Sequence, residues 1–122
     1  MAKKILIIDD EQEILKVLIA RLTVHGFEAV SANDGESGFE KARKFLPDVI
    51  LLDVVMPGWS GLETANKLKS NPGTADTPII FLTGLGDDSM TRKYLEYGNC
   101  RVLLKPFNMN ELLAILARDF GM

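Results

Sequence analysis

A chain of 122 residues, 47% hydrophobic and 25% charged, has the size of one domain and enough apolar material for a core. Its net charge of -3, with lysines and arginines scattered rather than clustered, argues against a nucleic-acid or anionic-membrane surface. No apolar run approaches the roughly 20 residues of a membrane span, the first residues lack a signal-peptide cleavage pattern, and a single cysteine, Cys100, excludes an internal disulfide. The expectation is one domain over 1–122, in a reducing cytoplasm, with no membrane or nucleic-acid partner.

Short apolar runs alternate with longer segments of helical period. Lys4 to Ile8 reads as a buried strand that runs straight into Asp9, Asp10 and Glu11. From Gln12 to Val24, Ile14, Leu18 and Leu22 share a stripe with Leu15 beside it, which predicts an amphipathic helix. Asp10 and Glu13 have the spacing of a capping box at its start. Gly26 stands where its end needs a left-handed residue, and the only histidine, His25, falls beside the last free carbonyls. Residues 27–31 form a second strand. Asp34-Gly35-Glu36 opens a helix that runs to about Lys44 and is stopped by Pro47. Residues 49–52 form a third strand, ending at Asp53. After the loop Met56-Pro57-Gly58-Trp59, the run Ser60-Gly61-Leu62-Glu63 is a capping box for a helix to about Ser70. Pro72-Gly73 is a turn, and residues 78–82 a fourth strand. Asp87-Asp88 places negative charge at the start of a helix that ends near Gly98. Residues 102–104 are the fifth strand. Beyond Lys105-Pro106, Asn108 and Glu111 frame a last helix carrying Leu112, Leu113 and Leu116. Cys100 reads as a small packed hydrophobe.

Five strands alternating with five helices predict a parallel sheet with right-handed crossovers. The continuous Ile, Leu and Val runs fit strands covered by helices on both faces. An eight-stranded barrel needs about 250 residues, so the fold class is α/β, an open doubly wound sandwich. Such sheets bind ligands at the carboxyl ends of their strands. Those ends carry Asp9-Asp10, Asp53, Thr83-Gly84 and Lys105-Pro106. Taken singly, each residue has an ordinary explanation as a cap, a strand end or a solvated lysine. Three acids, a hydroxyl and an ammonium at the edges, with none inside a strand, ask for a shared one.

Carboxylates brought close together cannot all stay ionised without compensation. Lys105 supplies one positive charge. What remains is an oxygen-rich, net-negative cleft suited to a hard divalent cation such as Mg²⁺. No histidine or cysteine stands at these positions, which disfavours zinc. A magnesium ion beside an aspartate suits phosphoryl transfer with the carboxylate as nucleophile, while Lys105 and the Thr83 hydroxyl stabilise the transferred group.

The segments "IIDDE" at Ile7 to Glu11, "LLDVVMPGWSG" at Leu51 to Gly61, "FLTG" at Phe81 to Gly84 and "LLKPF" at Leu104 to Phe107 stand in this order, each at a strand end. Together they resemble the receiver domains of two-component response regulators, over essentially the whole chain. The resemblance implies a flavodoxin-like (βα)5 sandwich with strand order 2-1-3-4-5, like the single-domain chemotaxis regulators. It implies that Asp53 is the phosphoacceptor and that Asp10 and Asp53 ligate Mg²⁺ directly, with Mn²⁺ as a substitute. Asp9 then acts through water, and the carbonyl of Val55 completes the protein ligands. Lys105 pairs with phosphoryl oxygens, and the Lys105-Pro106 bond is cis. The donor is a phosphohistidine on a sensor histidine kinase or a histidine phosphotransfer protein, and a downstream protein target reads the result. Such a domain is a monomer or a phosphorylation-dependent dimer, and it catalyses only its own phosphorylation and dephosphorylation.

The sequence departs from the family pattern at the switch. The position three before Lys105 is Val102 where the family has Tyr or Phe, and Gly84 follows Thr83 where alanine is common. Output through Tyr94 or Tyr97 is one alternative route, and packing is the other reading of both. Trp59 either covers the site, serves docking or is an incidental loop aromatic. Met1 fits a natural amino terminus; a single-domain regulator and a receiver of a longer protein both remain open. Among rivals, a flavin carrier of the same architecture needs a Ser/Thr/Gly-rich phosphate cradle where Asp9-Asp10-Glu11 would repel phosphate. An aspartyl phosphatase commonly wants a second acid where Val55 stands. A receiver-like scaffold that binds partners without phosphorylation is kept open by Val102.

Overall fold

The computed structural model describes residues 2–84 and 99–122. In chain order the elements are β1 (Lys4–Ile8), α1 (Gln12–Val24), β2 (Glu28–Ala32), α2 (Gly35–Phe45), β3 (Val49–Asp53), α3 (Gly61–Ser70), β4 (Ile79–Thr83), β5 (Cys100–Leu104) and α4 (Met109–Phe120). The helix expected between Asp87-Asp88 and Gly98, with Tyr94 and Tyr97, lies outside the described residues.

The five strands form one parallel sheet in the order β2-β1-β3-β4-β5. Alternation within the strands builds two cores, because successive side chains point to opposite faces. Leu6, Ile8, Ile50, Leu52, Ile79 and Phe81 meet Ala42 of α2 and Ala65 and Leu68 of α3 on one face. Ile5, Ile7, Val49, Leu51, Ile80 and Leu82 meet Leu15, Leu18 and Leu22 of α1 and Leu112 and Leu116 of α4 on the other. Every residue of β3 and β4 is buried. Each fully buried Ile or Leu contributes about 1.5–3 kcal/mol relative to exposure. The interior strands can therefore carry no polar side chain until they reach their ends.

Helix starts follow local chemistry. Asp34 caps α2 by accepting from the Ser37 amide at 2.7 Å. At α3, the Ser60 hydroxyl accepts from the Glu63 amide at 3.2 Å and the Glu63 carboxylate accepts from the Ser60 amide at 3.4 Å, the full capping box. Asn108 caps α4 through the Glu111 amide at 2.8 Å. At the end of α1, the His25 ring lies 2.9 Å from the Arg21 carbonyl and Gly26 follows at φ +91. Asp10 does not cap α1. Glu11 holds the cap position without a side-chain bond, and the Asp9 carboxylate instead accepts the Glu11 amide at 3.0 Å. Strand β5 begins at Cys100, two residues before the apolar run suggests. Cys100 pairs with Ile79 and is buried like a hydrophobe, while Arg101 turns outward to Asp119 at 3.1 Å.

Candidate functional site

The register of the sheet assembles the site. Ile8 of β1 lies opposite Leu52 of β3, so Asp9 and Asp53, one residue further on, emerge side by side. These are the strands on either side of the point where the chain reverses its direction of travel across the sheet, the position such folds use for ligands. Thr83 lies opposite Leu104, so Lys105 follows directly beyond the end of β4. The Lys105 amide donates to the Thr83 carbonyl at 2.7 Å, and the Lys105–Pro106 peptide bond is cis.

From there the lysine reaches back over the strand ends. Its Nζ lies 3.2 Å from Asp53 Oδ1, 3.3 Å from Asp9 Oδ2 and 3.9 Å from Glu11 Oε1. Asp9 is fully buried and Asp53 nearly so, whereas Asp10 is exposed at the rim. Asp9, Asp10 and Asp53 each offer an oxygen within 4.8 Å of the other two. This donor set is all oxygen, carries excess negative charge and opens to solvent through Asp10. It fits a hard cation of the Mg²⁺ type, which favours carboxylate and water ligands.

Burial pushes the Asp53 carboxyl up to about 6, the neighbouring Asp9 charge pushes the same way, and Lys105 opposes both. Lys105 itself is raised: burial works against its charge, but Asp53 and Asp9 together outweigh it. The two shifts are compatible because one ammonium serves two acids. The lysine gains from both partners, whereas Asp53 has half a counter-ion and a like-charged neighbour.

Thr83 is buried at its strand end and its hydroxyl reaches the Gly84 carbonyl at 3.5 Å, not the acids. Val55 projects its side chain into solvent just beyond Val54, whose amide donates to Leu82 at 3.0 Å. Val102 is half-buried against the α2–α3 core. Trp59 packs between helices: its ring centroid is 6.2 Å from that of Phe39, and Lys67 Nζ lies 5.6 Å from it. Beside the acids, α1 and the segment after β5 border a groove of about 570 Å³ lined by Ile14, Val17, Leu18, Pro106 and Phe107. Glu11 joins the site at its rim, beyond the residues expected from the strand ends, and its place in the acidic run after β1 is the signal for it.

The family model of the response regulator receiver domain matches residues 5–117. The chain belongs to that family. This receiver domain is 38% identical over 116 residues to the phosphate regulon transcriptional regulatory protein PhoB of Pseudomonas aeruginosa, covering 95% of this chain and 51% of that protein. It is 37% identical over 108 residues to the response regulator PleD of Caulobacter vibrioides, covering 88% of this chain and 24% of PleD. The chain spans about half or less of the length of these curated relatives. Among solved structures, the chemotaxis protein CheY4 of Vibrio cholerae superposes with a TM-score of 0.90 at 32% identity, covering 97% of this receiver domain and 98% of CheY4. The strand order and the flavodoxin-like architecture agree with that likeness. No helix among the described residues is long and apolar enough to cross a membrane.

Proposed function

We propose that this receiver domain is the phosphoacceptor of a two-component phosphorelay, with Asp53 as the acceptor. The observation that carries this reading is the Lys105 ammonium held between Asp9 and Asp53, at 3.3 and 3.2 Å, on the edge of a three-carboxylate cluster. A lysine tethered there sits where the oxygens of an incoming phosphoryl group on Asp53 would gather. An Asp53 oxygen attacks the phosphorus of a phosphohistidine, the phosphorus–nitrogen bond breaks, and the departing imidazole takes up a proton. Asp9, Asp10, Asp53 and the Val55 carbonyl would hold Mg²⁺, which when bound supplies positive charge against the phosphoryl oxygens. Lys105 then exchanges a carboxylate partner for a phosphoryl oxygen, and the Thr83 hydroxyl turns from Gly84 to donate to another. Hydrolysis of the acyl phosphate by water returns the domain to its starting state, so its catalysis is confined to its own acceptor.

The donor on this reading is a sensor histidine kinase or a histidine phosphotransfer protein, docked in the cytoplasm on the apolar groove beside the acids. With Val102 in place of an aromatic residue, output to the downstream protein does not use a swinging ring at that position. The test is intact mass after incubation with a small acyl phosphate donor and Mg²⁺. The expected result is one phosphoryl adduct on the wild type and none on Asp53→Asn. An adduct that persists in Asp53→Asn, or none on the wild type, overturns the assignment.

A further inference from the structure

The backbone that carries Asp53 is held from an unexpected side. Gly61, the first residue of α3, lies so close to the end of β3 that a Cβ there would stand 2.6 Å from the Asp53 carbonyl oxygen and 2.7 Å from Val54 Cα. Its amide donates to the Val54 carbonyl at 2.9 Å, so the loop after β3 closes back on its own start. Both sides of this contact are anchored. Val54 is tied to β4 through Leu82, and α3 is tied by its capping box and by buried Thr64, Ala65 and Leu68. Between the two anchors runs the segment that contains Val55.

We infer that Gly61 is a positioning residue: its bare Cα lets α3 clamp the Asp53–Val54 backbone and so sets the spacing between the Asp53 carboxylate and the Val55 carbonyl. This rests on the metal-site reading above. The colliding atoms at Gly61 are backbone, which cannot rotate aside. Gly38 offers the contrast, since the nearest atoms that a Cβ there would meet belong to the Ile8 side chain. Relieving the Gly61 overlap from 2.7 Å to the 3.4 Å of ordinary contact moves Val54 relative to α3 by about 0.7 Å. That displacement is large for Mg²⁺, which demands near-octahedral oxygens at about 2.0–2.1 Å, and small for Ca²⁺, which accepts irregular shells at about 2.3–2.6 Å. A residue that only supported the fold would change both ions alike.

The experiment is NMR titration of wild type, Gly61→Ala and Gly38→Ala with Mg²⁺ and separately with Ca²⁺, at low temperature in a stabilising osmolyte. Gly61→Ala is expected to lose Mg²⁺ affinity about tenfold and Ca²⁺ affinity less than threefold. Gly38→Ala is expected to keep both within twofold while melting earlier. Equal losses for the two ions in Gly61→Ala, or unchanged Mg²⁺ binding, overturn the inference. So does a Gly61→Ala chain that stays unfolded under these conditions, because the inference requires the loop, not the fold, to yield. A wild type that binds neither ion refutes the metal-site reading itself, and the inference falls with it.

Discussion

Replacing the Asp53 carboxylate should stabilise the protein in the absence of metal. Asp53 is raised by burial and by Asp9 from 3.8 to about 6. A carboxyl raised by the fold favours folding only while protonated. That benefit is complete below pH 3.8 and is lost as pH rises through about 6. Each unit corresponds to about 1.4 kcal/mol, so the fold bears at most about 3 kcal/mol above pH 7 and about 0.5 kcal/mol at pH 4. Solvent contact at the open rim reduces the upper figure, leaving about 1–3 kcal/mol. Asp53→Asn keeps the shape and removes the charge. With a chelator present, its urea unfolding free energy should exceed that of wild type by this amount at pH 7.5, and the gap should close towards pH 4. In a domain of this size the difference at pH 7.5 is a rise in Tm of about 4 °C per kcal/mol. On the proposed metal site, saturating Mg²⁺ should raise the Tm of wild type more than that of the variant, since the variant would lack one of the carboxylate ligands. A variant no more stable than wild type at pH 7.5, or a gap independent of pH, refutes the claim that the fold strains this carboxylate.

Lys105→Ala should retain a native circular dichroism spectrum, because the side chain is attached to the site and not to the core. Its Asp53 should titrate above 6 by NMR, as the ammonium that opposes the shift is gone. Ser60→Ala removes half of the α3 capping box and should lower the urea unfolding free energy by about 1 kcal/mol, leaving Asp53 phosphorylation unchanged. Cys100 is buried at β5 and burial pushes its thiol up, so it should resist a disulfide reagent in the native state and react once urea unfolds the chain.

Local signals carried most of the architecture. Continuous Ile and Leu runs marked β1, β3 and β4 because both faces of those strands are covered, and the Ser60–Glu63 box located α3 because capping is settled by adjacent residues. Strand β5 is longer than its apolar run because Cys100 and Arg101 break the apolar pattern, although one packs as a hydrophobe and the other leaves its charge at the edge with Asp119. Of the two readings open for Asp10, the cap fails for a related reason: spacing names a candidate, but the turn made by Asp9 with the Glu11 amide decides which acid bonds where, and Asp10 stands in the acidic cluster.

The order of residue types along the chain determined the sheet, its two cores and the collection of acids, threonine and lysine at one edge, since hydrophobic period and strand length are local properties. Which of those groups touch was a tertiary matter. Register set Asp9 beside Asp53, and the pairing of β5 with β4 brought Lys105, the residue after β5, over both. Partial removal from water then raised the Asp53 carboxyl, an effect that depends on neighbours distant in sequence. The clamp at Gly61 belongs to the same class: a missing side chain is visible in any sequence, but the backbone it makes room for is visible only in space.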